Sequence, residues 1–174
     1  MEIAGAGYLY TLALLSITYA GFAVLFMLFR QDLGGRMMHY DAFLIRAVAQ
    51  KGFIVTACSM LPPLLTYCNL PTPLIWRLSS LVAGILQALF LASWIARRRT
   101  VKNIPTSTWL KLNLFLQLLT ALYLLIGATR QFFDAGPGAF LIGVTLILFW
   151  SGIAYQEALV FLLQGELRKK TRGK

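Results

Sequence analysis

The chain has 174 residues, of which 59% are hydrophobic and 13% charged, with a net charge of +10 and a mean hydropathy of +0.72. So few charges cannot cover that much apolar surface in water, which argues against a soluble domain and makes lipid the natural solvent. The length suits one compact unit of about four to six spans with no soluble domain beside it.

The first apolar run, residues 8–29, reads YLYTLALLSITYAGFAVLFMLF. Only Glu2 precedes it as a charge, Arg30 follows it, and it is too long for a signal-peptide core. It is expected to be an uncleaved first span with its N-terminus outside. The connection QDLGGRMMHY turns at Gly34-Gly35. Asp41 then caps a helix that enters lipid near Arg46 to Lys51, spans residues 42–68 and is expected to kink at Pro62-Pro63.

NLPTP forms a tight outside turn before the third span, residues 74–96. RRRTVKNIPTST is the second inside loop, and residues 108–129 are the fourth span. RQFFDAGPG is the next outside turn, and Pro137 opens a fifth span over 137–163, followed by the basic tail 164–174. The fold class expected is all-α: a polytopic membrane bundle of five transmembrane helices, N-terminus outside and C-terminus cytoplasmic.

The basic residues support that orientation. Of sixteen Lys and Arg, four lie in Arg30–Lys51, five in Arg97–Lys111 and five in the tail, with Arg77 and Arg130 alone. Basic residues concentrated in alternate connections mark cytoplasmic loops, whereas nucleic-acid binding needs them on one exposed face of a folded domain. Arg168, Lys169, Lys170, Arg172 and Lys174 are expected to touch anionic lipid headgroups, at about 1 kcal/mol each near the surface. Cys58 and Cys68 stand about 15 Å apart along one helix, too far for a mutual disulfide. With no CxxC and His39 the single histidine, a structural zinc is not expected; both thiols read as buried small apolar groups. Tyr8, Tyr10, Trp76, Trp94, Trp109 and Phe132-Phe133 are expected at the membrane interfaces, and Trp150 in the core.

Two constellations rise above this background. Ser80, Gly84, Ala88, Ala92 and Ala96 follow one another at intervals of four residues in the third span. They form a ridge of small side chains along which another backbone can approach. The ridge either packs within the chain, against Ser16 and Ala20 of the first span, or meets a second copy in a homo-oligomer. The other constellation is polar. Glu157, about six residues from the inner end of the fifth span, lies roughly 9 Å inside the apolar region. Asn113 and Gln117 in the fourth span, Gln87 in the third, and Arg46, Gln50 and Lys51 in the second fall at similar depth, with Gln156 beside Glu157. A carboxylate in hydrocarbon needs a partner, so these groups are expected to converge on a polar pocket that opens to the cytoplasm, with Lys51 or Arg46 facing Glu157.

Three functions fit such a pocket. In the first, the pair fixes helix register in a non-enzymatic interaction or accessory component, and this is the function expected. The alternative is an ion, proton or small-solute channel or transporter, with any pore lying on an oligomer axis because the outer half lacks a polar path. The third is an enzyme acting on lipid through His39 and Asp41, although positions two apart on a helix point away from each other. Five spans do not divide into inverted repeats, and no TVGYG filter or Walker sequence is present. No cofactor, metal or nucleic acid is expected; the partners are the bilayer and a further copy of the chain. In topology alone the chain resembles small multispan proteins of bacterial inner membranes, which implies a multi-pass location in that membrane.

Overall fold

The computed structural model describes residues 3, 5–32, 39–100, 108–129 and 137–172, without the side chains of 27, 30–32, 39–44, 99, 100, 110 and 157–172. Five α-helices follow in order: α1 Ala6–Asp32, α2 His39–Thr66, α3 Thr72–Thr100, α4 Thr108–Ala128 and α5 Pro137–Arg172. There is no strand among the described residues. Each helix is long and apolar enough to cross a membrane.

The helix ends carry small departures from the sequence expectation. Backbone helix already begins at His39, so Asp41 lies in the first turn of α2 and not ahead of it. The prolines Pro62 and Pro63 sit inside α2, which continues past them to Thr66. There Tyr67, Cys68 and Asn69 donate to carbonyls three residues back, at 3.1–3.2 Å, tightening the last turn. Asn69 closes it at a φ of 53°, a left-handed conformation that asparagine tolerates. Pro71 and Pro73 then start α3, where missing N–H groups cost nothing. At the other extreme, α5 does not stop near residue 163. It runs 36 residues to Arg172, through the basic segment.

Helices α2, α3, α4 and α5 form a ring, each packed on the next and α5 closing back on α2. The helix α1 lies outside this ring, along α2 and touching α5. Its buried residues Leu9, Leu12, Ala13, Ser16, Ala20 and Ala23 follow helical spacing, while Leu14, Leu15, Phe22 and Leu25 face outward. Lys51, Arg97 and Lys111 lie toward one end of the bundle, its basic end. The opposite half is an apolar core of Leu9, Val55, Trp76, Leu124, Phe140 and Val144.

Small residues set the closest approaches. A Cβ on Gly52 would lie 2.6 Å from the Ala20 Cβ and 2.8 Å from the Ser16 carbonyl oxygen. One on Gly84 would meet Leu125 of α4 at 2.8 Å. This overturns the expected pairing of the α3 ridge with α1: Ser16 and Ala20 receive α2, and the ridge receives α4. Only its first part is enclosed. Ser80 and Gly84 are buried and Ala88 is half-buried, whereas Ala92 and Ala96 are exposed.

Trp76 and Trp94 are buried in the bundle, 2% and 8% exposed, with the Trp76 ring 5.7 Å from that of Phe140, whereas Tyr8, Tyr10 and Trp109 are exposed. One expectation for the thiols is corrected. Cys58 is buried, but Cys68 is exposed, because α2 ends before it and the thiol falls in the turn.

Candidate functional site

The ring brings polar side chains from α2, α3 and α4 to one place near the basic end. Lys51 of α2 is 2% exposed, Gln87 of α3 is fully enclosed, and Asn113 and Gln117 of α4 are 6% and 4% exposed. Asn113 and Gln117 share a face because they are one turn apart, and the same face continues through Thr120 and Ala121 to Leu124. Burying four such groups is costly unless they satisfy one another.

Apart from Gln87 Oε1, which has no partner among the described residues, their polar atoms do so in a single directed chain. The Lys51 ammonium donates to Gln117 Oε1, which also accepts from Gln87 Nε2 at 3.3 Å. Gln117 Nε2 donates to Asn113 Oδ1 at 2.5 Å, and Asn113 Nδ2 donates to the Trp150 carbonyl of α5 at 2.9 Å. The two ends fix the orientation of both carboxamides. A lysine ammonium can only donate and a backbone carbonyl can only accept, so Gln117 must turn its oxygen to Lys51 and Asn113 its nitrogen to α5. Lys51 also sits 4.7 Å from the centroid of the Phe90 ring, on the π face that attracts a cation.

Beside this chain lies a cavity of about 60 Å³ lined by Ala47, Val48, Lys51, Phe90, Trp94, Asn113, Leu114, Gln117, Ser151 and Ala154. All four ring helices contribute. The hydroxyl of Ser151 donates to the Ile147 carbonyl at 2.7 Å, and the carbonyl of Ser151 accepts from the Tyr19 hydroxyl at 2.6 Å, which ties α1 to the site from outside.

Of the residues singled out in the sequence, Lys51, Gln87, Asn113 and Gln117 therefore come together. Arg46 and Gln156 are exposed and do not join them. Gln50 is half-buried and accepts from Arg97 at 3.4 Å, one position round the helix from Lys51 and outside the chain of bonds. The side chains of Glu157, His39, Asp41, Arg168, Lys169, Lys170 and Arg172 lie outside the described residues, as do Arg36 and Lys174 altogether. Phe90, Trp94, Ser151 and the Trp150 carbonyl were not anticipated. Ser151 carried a signal, as a hydroxyl six residues before Glu157 in an apolar run; a backbone carbonyl carries none. Trp150 is half-buried, its ring 5.2 Å from that of exposed Phe149, and contributes main chain to the site.

Compared with models of known families, with curated proteins and with solved structures, the chain matches none. The fold is that of a five-helix bundle compatible with a multi-pass membrane protein.

Proposed function

We propose that the protein is a multi-pass membrane component without enzymatic activity, an interaction or accessory subunit built round the Lys51 cluster, with its N-terminus outside and its basic end in the cytoplasm of a bacterial cell. The observation that carries this reading is the directed chain from Lys51 through Gln117 and Asn113 to the Trp150 carbonyl. These groups are spent on holding α2, α4 and α5 in one register, a role well suited to buried polar groups in a bundle.

The cavity favours a second reading, in which the cluster binds an ion or small solute on a permeation path. Ion and proton flux in proteoliposomes separates the two, with native protein compared to Lys51→Met and Glu157→Gln at matched folded protein. No flux from native protein, together with lowered stability of the variants, supports the accessory role. Flux that disappears with either side chain would establish permeation instead.

A further inference from the structure

We propose that the cavity beside Lys51 is a binding site for one small monovalent anion. The inference deepens the reading of the Lys51 cluster as a core site and requires no flux. It rests on what the cavity wall presents. The oxygens of both lining carboxamides are occupied, Gln117 Oε1 by Lys51 and Gln87 and Asn113 Oδ1 by Gln117. Each NH₂ group has spent one of its two hydrogens, and the ammonium has spent one of three on a hydrogen bond among the described residues. Apart from one lone pair of Asn113 Oδ1, the unspent groups of these three residues are donors, and Lys51 is the one basic side chain in the lining. The Ser151 hydroxyl is a rotor that turns from the Ile147 carbonyl to donate when an acceptor arrives.

Size and charge narrow the ligand. At about 60 Å³ the cavity is far below the roughly 300–1,000 Å³ of pockets that hold drug-sized ligands. One ammonium compensates one negative charge; sulfate or a phosphate dianion would bring a second into a wall otherwise made by Ala47, Val48, Phe90, Leu114 and Ala154. Those apolar walls return little of the hydration an anion sheds on entry. The site should accordingly prefer weakly hydrated nitrate and bromide, take chloride less tightly, and reject sulfate.

Trp94 lines the cavity and reports on it. The full chain, purified in neutral detergent, is titrated with sodium bromide at constant ionic strength while tryptophan emission is followed. Expected is a saturable quenching component that chloride competes away and sulfate does not. Lys51→Met should lose it, with apparent affinity falling roughly tenfold or more. Asn113→Leu, which keeps the cation, should weaken it by less, so the test survives if the lysine variant fails to fold. Trp94→Phe should remove the quenching signal while bromide still raises the unfolding temperature against its general destabilising trend. Quenching that stays linear in native protein, or is the same in Lys51→Met, overturns the proposal. Saturable binding that appears only in Glu157→Gln also overturns it, by giving the site to an internal carboxylate. Anion binding without flux leaves the accessory role standing, so the two readings fail separately.

Discussion

Gly52 of α2 approaches Ala20 of α1 so closely that a methyl group on the glycine would lie 2.6 Å from the alanine Cβ. The second obstacle, the Ser16 carbonyl 2.8 Å away, is backbone and cannot swing aside. Gly52→Ala should therefore push α1 from α2 and destabilise the protein by about 1–3 kcal/mol. Unfolding in mixed micelles checks this, and Ala20→Gly in the same chain should restore part of the loss. An unchanged midpoint would show that the two helices are not seated this tightly.

Gly143 and Gly152 make an internal comparison on α5. A Cβ on Gly143 would press on Leu124, 2.8 Å from its Cγ, and Leu124 is itself 1% exposed with nowhere to move. A Cβ on Gly152 meets nothing within 4 Å. Gly143→Ala should lower stability by about 1–3 kcal/mol, whereas Gly152→Ala should raise it by about 0.5–1 kcal/mol through the helix preference of alanine. Thermal unfolding of both variants gives the sign, and the same sign for the two would contradict the packing.

Removing either end of the Lys51–Gln117 bond should have unequal effects. In Lys51→Met, Gln117 Oε1 keeps Gln87 as a donor, so the loss should be about 1–2 kcal/mol. Gln117→Leu leaves the buried ammonium without its carboxamide acceptor, which should cost about 3–5 kcal/mol. The double variant should be more stable than Gln117→Leu alone. Equilibrium unfolding of the three proteins decides, and the reverse order would mean that Gln117 is not the principal partner of Lys51.

The proposed orientation can be read from native cysteines. Cys68 is exposed in the turn between α2 and α3, and Cys58 is buried ten residues earlier. In intact cells with the outer membrane permeabilised, a membrane-impermeant maleimide should modify Cys68 and spare Cys58. Modification of Cys68 only after the inner membrane is opened would reverse the orientation.

Much of this architecture was legible in the sequence because hydrophobic length is a strong signal, and the five runs fall within the five helices apart from residues 67–68 after α2 and Thr129 after α4. Depth along the helices also foretold that Lys51, Gln87, Asn113 and Gln117 would meet. Rotation about each helix axis was far less legible. A helix apolar on every side does not reveal which face turns inward. Arg46 and Gln50 are four apart and share a face, yet Lys51, about 100° further round, is the residue that enters the core. The ridge on α3 was visible for the same reason that its neighbour was not: spacing describes one helix, and the choice of α4 over α1 depends on how the ring closes.

The position of α1 outside that ring, together with the spacing of the site along the chain, has a consequence for biogenesis. Lys51 precedes Gln117 by 66 residues and is synthesised before any helix that completes its surroundings. At about 5–20 residues per second its acceptor follows roughly 3–13 seconds later, and the Trp150 carbonyl later still. In the proposed membrane setting, the α1–α2 hairpin carries during that interval an ammonium that lipid tolerates poorly. Release of the hairpin from the insertion machinery is therefore expected to wait for α4 and α5, so that the last helices made license the departure of the first.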